Sequence, residues 1–589
     1  MVDAQHKIEE RDGMVVEWDA PITMDDGIVL RADVYRPLGE GRHPVLMTHG
    51  PYAKGLSFQE GFAYAWMQLA RDRPDALEGS SNKYQSWETP DPEIWTRDWG
   101  YVCIRVDSRG SGRSPGFLDC FSDRETRDYA ACIEWAGEQP WSNGKVGLLG
   151  ISYYAVNQWQ VAARKPKHLA AICAFEGASD LYRDGTRHGG ILTDFWMKWY
   201  PAQISSVQYG LGTRGRINRN TGEPIAGPKT LSPEEMARNA ADLVAQHREN
   251  RLATDPYFVE RQAKLEDIEV PVLSRGNWGG IALHLRGNIE AFMRVSSKKK
   301  RLEMHGDTHW TDFYTPEGRA FMRRFLDHFL KDEDNGWDRE PPILLNVRHP
   351  NEKFVPRTEH EWPLARTEWT WMHLDRASSG IAKDAPAAGG KFTFDAAGAG
   401  HTFYAAPVDR PTEITGPLAA TIFMSTTARD ADIYLAVRAF SHNGREVLFQ
   451  GTTDPNTPLA FGWLRASHRK IDDARSLPFR PWHPHDEEQL LTPGEIYRLE
   501  IEIWPTSIVL PAGYRLALTV SGRDYDHELP GPLIPNAPPM YGGGRMSGCA
   551  IHTHQVASDR PPERFDGTTT IYTGGNHASR LLVPFIPAK

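Results

Sequence analysis

From about residue 14 to residue 178, short apolar runs alternate with amphipathic stretches. Residues 28–35 and 44–48 have the make-up of strands, the run 101–107 (Tyr-Val-Cys-Ile-Arg-Val-Asp) reads as a strand buried on both faces, and 124–139 carries apolar positions at helical spacing. Residues 146–149 form the next strand, 153–165 a helix and 169–175 another strand. This alternation predicts a mostly parallel sheet with helices on both faces. Between about 180 and 266 the rhythm becomes helical, with the aromatic cluster Phe195, Trp196, Trp199 and Tyr200 and a loop rich in Gly, Arg and Asn over 209–228, as expected of an inserted cap. Strands resume at 270–274 and 300–305, a helix is predicted over 316–331, and a polar, acidic linker covers 331–340. Beyond it come short β-rich runs (343–347, 369–374, 421–425, 433–439, 494–503, 514–521, 569–572) separated by Gly, Pro and Asn, which predict a β-sandwich of jelly-roll type. The expected division is an α/β core over 14–178 and 267–335, a helical cap over 179–266 and the β-sandwich over 341–589.

Composition narrows the function. At 589 residues the chain exceeds one core, and its net charge of −10 is spread over separated acids, so no basic face suits nucleic acid or anionic lipid. No run approaches the roughly 18 apolar residues of a membrane span, and the first ten residues lack a signal-peptide pattern, so a cytoplasmic protein is expected. The five cysteines are dispersed and mostly in apolar segments, which fits buried thiols and neither a disulfide framework nor a metal centre. No cofactor is expected.

The chemistry centres on Ser152. In Lys145-Val-Gly-Leu-Leu-Gly-Ile-Ser-Tyr-Tyr-Ala155 an apolar strand runs through Gly150-x-Ser152 into a helix-compatible stretch, the form of a nucleophile elbow, although Tyr154 stands where the usual pattern has glycine. A serine nucleophile requires a base, and His309 in Glu303-Met-His-Gly-Asp-Thr-His-Trp310 follows the last predicted core strand, with His305 as its competitor. An oxyanion hole requires converging donors: the backbone N–H of Tyr153, and the Tyr52 phenol in Thr48-His-Gly-Pro-Tyr-Ala-Lys-Gly55.

Several motifs together resemble one family. Gly50-Pro-Tyr-Ala-Lys-Gly55, Asp107-Ser-Arg-Gly-Ser-Gly-Arg-Ser114, Trp141-Ser-Asn-Gly-Lys-Val-Gly147, Gly150-Ile-Ser-Tyr-Tyr154, Ala178-Ser-Asp-Leu-Tyr-Arg-Asp184 and Ala578-Ser-Arg-Leu-Leu-Val-Pro584 look like the family of cocaine esterase, X-Pro dipeptidyl-peptidases and α-amino-acid ester hydrolases. The resemblance implies an α/β-hydrolase core, a helical cap and a C-terminal jelly roll, with the Tyr52 hydroxyl and Tyr153 N–H as oxyanion hole. The glycine- and arginine-containing run from Asp107 to Ser114 fits neither a P-loop nor a dinucleotide fingerprint, and a structural turn is expected there.

The chain departs from the family at the acid. Family members carry an aspartate in a Gly-Trp-x-Asp-like turn before the histidine strand, whereas Ser274-Arg-Gly-Asn-Trp-Gly-Gly-Ile281 holds no carboxylate. Either no acid is used, or Asn277 stands in, or the acid comes from another strand. Glu176 is the favoured candidate: it ends the strand beside the nucleophile strand, and its extra methylene helps to span the gap. Asp180 is the runner-up, better suited to a structural role; a bond to a backbone amide or Arg183 is the bland alternative for Glu176. Trp196, Trp199 and Tyr541 are candidate substrate-binding residues, and Asp184 and Asp194 are available to capture a free amine. The expected protein is a serine hydrolase of small-molecule esters or amides acting through an acyl-enzyme, with an α-amino-acid ester hydrolase or X-Pro dipeptidyl-peptidase as the alternative activity. A noncatalytic binding protein on a hydrolase scaffold is the rival of another class. The expected partner is the small-molecule substrate, and exposed sandwich faces suit a homo-oligomer.

Overall fold

A computed structural model describes residues 5–529, 544–549 and 552–588; Tyr541 lies outside the described residues. The first sheet is built from β1 (Lys7–Arg11), β2 (Met14–Thr23), β3 (Val29–Pro37), β4 (His43–Gly50), β5 (Val102–Asp107), β6 (Ser142–Ile151), β7 (Leu169–Phe175), β8 (Val272–Asn277), β9 (Lys300–His305), β10 (Ile343–His349) and β11 (Lys353–Glu359). Their order across the sheet is β1-β2-β3-β5-β4-β6-β7-β8-β9-β10-β11. The strands from β5 through β10 in this order run parallel, and antiparallel strands flank them on both sides. Every residue of β5 and β8 is buried, as expected of parallel strands covered by helices on both faces. The strand expected at 343–347 as the start of the β domain instead continues this sheet, because Leu302, Glu303 and Met304 pair in parallel with Ile343, Leu344 and Leu345.

The position of the site follows from order and register. β4, β6, β7, β8 and β9 are consecutive neighbours. Ile151 pairs with Phe175, Phe175 with Arg275, and Asn277 with His305. Ser152, Glu176 and the loops after β8 and β9 therefore leave the same edge of the sheet side by side. Helices α1 (Asp123–Gly137), α2 (Tyr153–Ala162), α3 (Leu285–Arg294) and α4 (Pro316–Leu330) lie against the strands. Between residues 179 and 266 the helices are short, such as Phe195–Trp199 and Leu243–Glu249.

Beyond residue 360 the chain forms a second sheet of eleven strands. Thr412–Thr426 pairs with Tyr497–Leu510 on one side and with Arg580–Ile586 on the other, so the sheet closes on itself. A register shift at Gly416, whose φ of 145° suits glycine, bends this long strand between its two partners. Leu418, Ile422, Val437 and Ile501 fill the interior. No helix among the described residues is long and apolar enough to cross a membrane.

The two sheets are joined through buried polar groups. Arg348 on β10 is almost fully buried and donates to the carbonyls of Ser507 and Leu459 and to Thr506 Oγ1. Arg348→Ala strands these acceptors and is expected to lower unfolding free energy by about 3 kcal/mol. Urea denaturation measures this, and an unchanged midpoint would contradict the coupling.

Candidate active site

Ser152 sits between β6 and α2 with φ 57° and ψ −114°, a strained conformation for a residue with a side chain. The elbow is tight: a Cβ on Gly150 would meet Tyr154 Cβ at 2.5 Å and Glu88 O at 3.3 Å. Ser152 N–H donates to Phe175 O (3.1 Å), which ties the turn to the end of β7. Tyr153 begins α2, so its N–H precedes the intrahelical ladder and has no partner within it. Its phenol points away and donates to Glu125 (2.6 Å). Tyr52 OH accepts from Trp199 Nε1 (3.3 Å), leaving its own hydrogen to donate. The loop of Tyr52 is held by Asp107, which accepts from the N–H groups of Lys54 and Arg113, so the run from Asp107 to Ser114 braces this loop.

Glu176 has no exposed surface and also takes a left-handed backbone, φ 49°. Its Oε2 accepts from His309 Nδ1 (2.7 Å), and its Oε1 faces His305 Nε2 (3.2 Å) and Asn277 Nδ2 (3.1 Å). Burial alone would raise its pKa, but the charge of His309 and the hydrogen bonds from His305 and His309 hold it down at about 2. Asn277, the candidate stand-in, thus binds the carboxylate. Asp180 accepts from the backbone and guanidinium of Arg183 and caps the turn that follows it. His305, the competitor base, lies between Glu303 Oε2 (3.0 Å from Nδ1) and Glu176. Burial works against its charge, yet Glu303 and Glu176 raise its pKa to about 9.

Two residues escaped the sequence reading. His284, at the N-cap of α3, accepts from Ala178 N–H at Nδ1 (3.2 Å), so its proton is on Nε2, which lies 3.2 Å from Ser152 Oγ. It is therefore a donor to the serine and not a base, and burial followed by the charge of His309 pushes its pKa down to about 3. Glu88, in Ser86-Trp-Glu-Thr-Pro90, lies 3.0 Å from His309 Nε2 through Oε1. A glutamate in a Trp- and Pro-containing loop carries no distinctive spacing, and neither does a lone histidine after the turn at 274–281.

Trp196 and Trp199 stand with Tyr52, Ser152 and His284 around an apolar pocket. Phe195 stacks on His552 from the β domain at 4.5 Å. The same domain supports the loop of His309, whose N–H donates to Thr452 O (3.0 Å). Glu303, His305 and Asp312 have metal-ligating proximity, but the guanidinium of Arg275 already pairs with Glu303 and Asp312.

Known proteins agree with this architecture. The model of the X-Pro dipeptidyl-peptidase S15 family matches residues 26–311, and that of the X-Pro dipeptidyl-peptidase C-terminal non-catalytic domain matches residues 335–582. The chain belongs to this family of α/β-hydrolases, which includes cocaine esterase. It is 23% identical to cocaine esterase from Rhodococcus, over 96% of this chain and 97% of that protein. A solved CocE/NonD family hydrolase from Staphylococcus aureus superposes with a TM-score of 0.82 at 28% identity, covering 99% of this chain and 96% of that one. A solved α-amino-acid ester hydrolase, 15% identical over 97% of each chain with a TM-score of 0.66, shares the fold. The protein is accordingly a serine hydrolase of the ester- and amide-cleaving kind.

Protonated His305 has a pKa above the ordinary value near 6.5, so its stabilisation is complete below that pH and disappears as pH rises through about 9. His305→Gln is expected to cost on the order of 3 kcal/mol at pH 6 and clearly less at pH 10. Urea unfolding of both proteins at the two pH values tests this; an equal loss at both would refute it.

Proposed function

We propose that the protein hydrolyses esters of small molecules through an acyl-enzyme on Ser152, with His309 as base and Glu176 as the acid behind it. The observation that carries this reading is the 2.7 Å contact between His309 Nδ1 and Glu176 Oε2, made by a fully buried carboxylate whose strand neighbours that of Ser152. In the reaction, His309 Nε2, once free, takes the proton of Ser152 Oγ as the oxygen attacks the carbonyl carbon. The carbonyl oxygen, now negative, receives hydrogen bonds from the Tyr52 hydroxyl and the Tyr153 N–H. His309 returns the proton to the leaving alcohol, and water repeats the sequence to release the acid. Glu176 holds the Nδ1–H tautomer and balances the imidazolium charge. His284 steadies Ser152 Oγ as a fixed donor. The closed β domain is read as a jelly roll, whose Thr452 carbonyl steadies the His309 loop.

Ester hydrolysis is preferred over an aminopeptidase-like activity because both candidate amine-binding acids are engaged. Asp184 pairs with Arg286 and accepts from Ser179 and Asp180 N–H, and Asp194 binds Thr553 and Lys198. The lining beside Ser152, with Trp196, Trp199 and Phe195, suits an apolar acyl group. Five buried free thiols suit a reducing, cytoplasmic setting.

Fluorophosphonate labelling is expected for the parent and absent for Ser152→Ala; labelling of both would overturn the assignment. Glu176→Gln is expected to lower kcat by about four orders of magnitude, and unchanged turnover would remove Glu176 from the mechanism. Trp199→Ala enlarges the acyl pocket, so the kcat/KM ratio of benzoate to acetate p-nitrophenyl esters is expected to rise by about 10-fold. An unchanged ratio would place the acyl group elsewhere.

A further inference from the structure

His309 is enclosed by carboxylates on both ring nitrogens. Nδ1 faces Glu176 Oε2 at 2.7 Å, and Nε2, the nitrogen that must accept the serine proton, faces Glu88 Oε1 at 3.0 Å. Ser152 Oγ is meanwhile hydrogen-bonded to His284 and not to His309. Two ionised carboxylates against one ring require a proton on each nitrogen; if Glu88 is protonated instead, its own O–H occupies the Nε2 lone pair. In both cases one proton lies between Nε2 and Glu88, and the base has no lone pair to offer.

Glu88 is built into this position. It is 2% exposed, its φ is +61°, and its carbonyl accepts from Ile151 N–H (3.1 Å), the residue before the serine. Its loop is thus tied to the elbow, so the carboxylate is held at a set place relative to both reacting groups. Its second oxygen, Oε2, is buried and makes no well-formed hydrogen bond, with the Trp87 indole near the carboxyl.

We propose that Glu88 is a positioning residue that holds His309 in a proton-locked resting state, so that the enzyme becomes competent only when the proton shared by Nε2 and Glu88 is lost to water. Its departure leaves a lone pair on Nε2 facing a carboxylate; their repulsion separates them, and Nε2 is freed to receive the proton of Ser152. The inference rests on the reading of His309 as base and adds what sets the pH at which that base works.

The surrounding charges agree. Glu176 and Glu88 face the ring directly, and His305, protonated between Glu303 and Glu176, lies beyond the first of these. His284 stacks on His309 at 5.4 Å as a neutral ring. Asp307, earlier in the same loop, is engaged with Thr308 N–H (2.6 Å). The phenols of Tyr52, Tyr154 and Tyr314 neighbour Glu88, and all three resist ionisation through burial. The pKa of His309 is lowered by burial but raised more by Glu176 and Glu88, to about 10, while burial raises Glu88 to about 7.

The test is the pH dependence of fluorophosphonate inactivation, which reports the free enzyme. For the wild type the acidic limb is expected above pH 8, and for Glu88→Gln, which keeps the shape and removes the charge, it is expected to move down by at least one pH unit, a gain of about 10-fold in rate relative to the plateau at pH 7. A wild-type limb near 6.5, or an unshifted limb in Glu88→Gln, overturns the proposal. The wild-type arm needs no variant, so it decides the matter even if Glu88→Gln does not fold. Labelling of Ser152→Ala would instead defeat the hydrolase assignment itself, and the two failures are separately visible.

Discussion

A buried carboxylate must be paired or it will not stay charged, and Glu176 meets that requirement with two imidazoles and an amide. From it a line of alternating charge runs in both directions: Arg275, Glu303, His305, Glu176, His309, Glu88. Each charge favours the ionised form of the opposite group beside it, and removing one would leave an uncompensated buried charge. The site's backbone is organised around the same constraint. Ser152, Glu176 and Glu88 all sit at positive φ, and strain of this kind persists only where surrounding contacts over-determine it.

The line also shows how a carboxylate at the end of β7 can meet His309. Neighbouring strands are about 4.8 Å apart, so β9, which precedes the His309 loop, lies about 10 Å from β7 across β8. A glutamate reaches further than an aspartate, and β8 ends in Asn277, which binds the carboxylate instead of repelling it. Its other contacts, Nδ2 to Asp307 O and Oδ1 from Gly279 N–H, link that bond to the loop of His309. The change is therefore shared between two strands: the carboxylate stands on one, and the amide that receives it stands on the other.

The β domain contributes to this geometry without supplying a member of the charged line. Thr452 O takes the His309 N–H, and His552 stacks on Phe195 beside the tryptophans of the pocket. Arg348 fastens the core sheet to the same domain. The His309 loop and the apolar pocket beside Ser152 thus depend on contacts made more than a hundred residues away in sequence.

Much of this was legible in the chain. Alternating apolar runs marked the parallel core, because strands buried on both faces are largely apolar, and Gly150-x-Ser152 marked the elbow, because a Cβ at position 150 has no room. The absence of a carboxylate from 274–281 raised the question of a displaced acid, and Glu176 was the favoured candidate beside Asn277 and Asp180. What the chain could not reveal was pairing in space. The continuation of the core sheet by residues 343–359 depends on which edge is left open, and the closure of the β sheet depends on a bend at Gly416 that leaves no periodic trace. Glu88 and His284 come from loops whose residue types are ordinary, and only folding sets one against Nε2 of His309 and the other against Oγ of Ser152. Hydrophobic periodicity is a local property that sequence records directly; the protonation of a buried histidine depends on everything that surrounds it, and only the tertiary structure decides that.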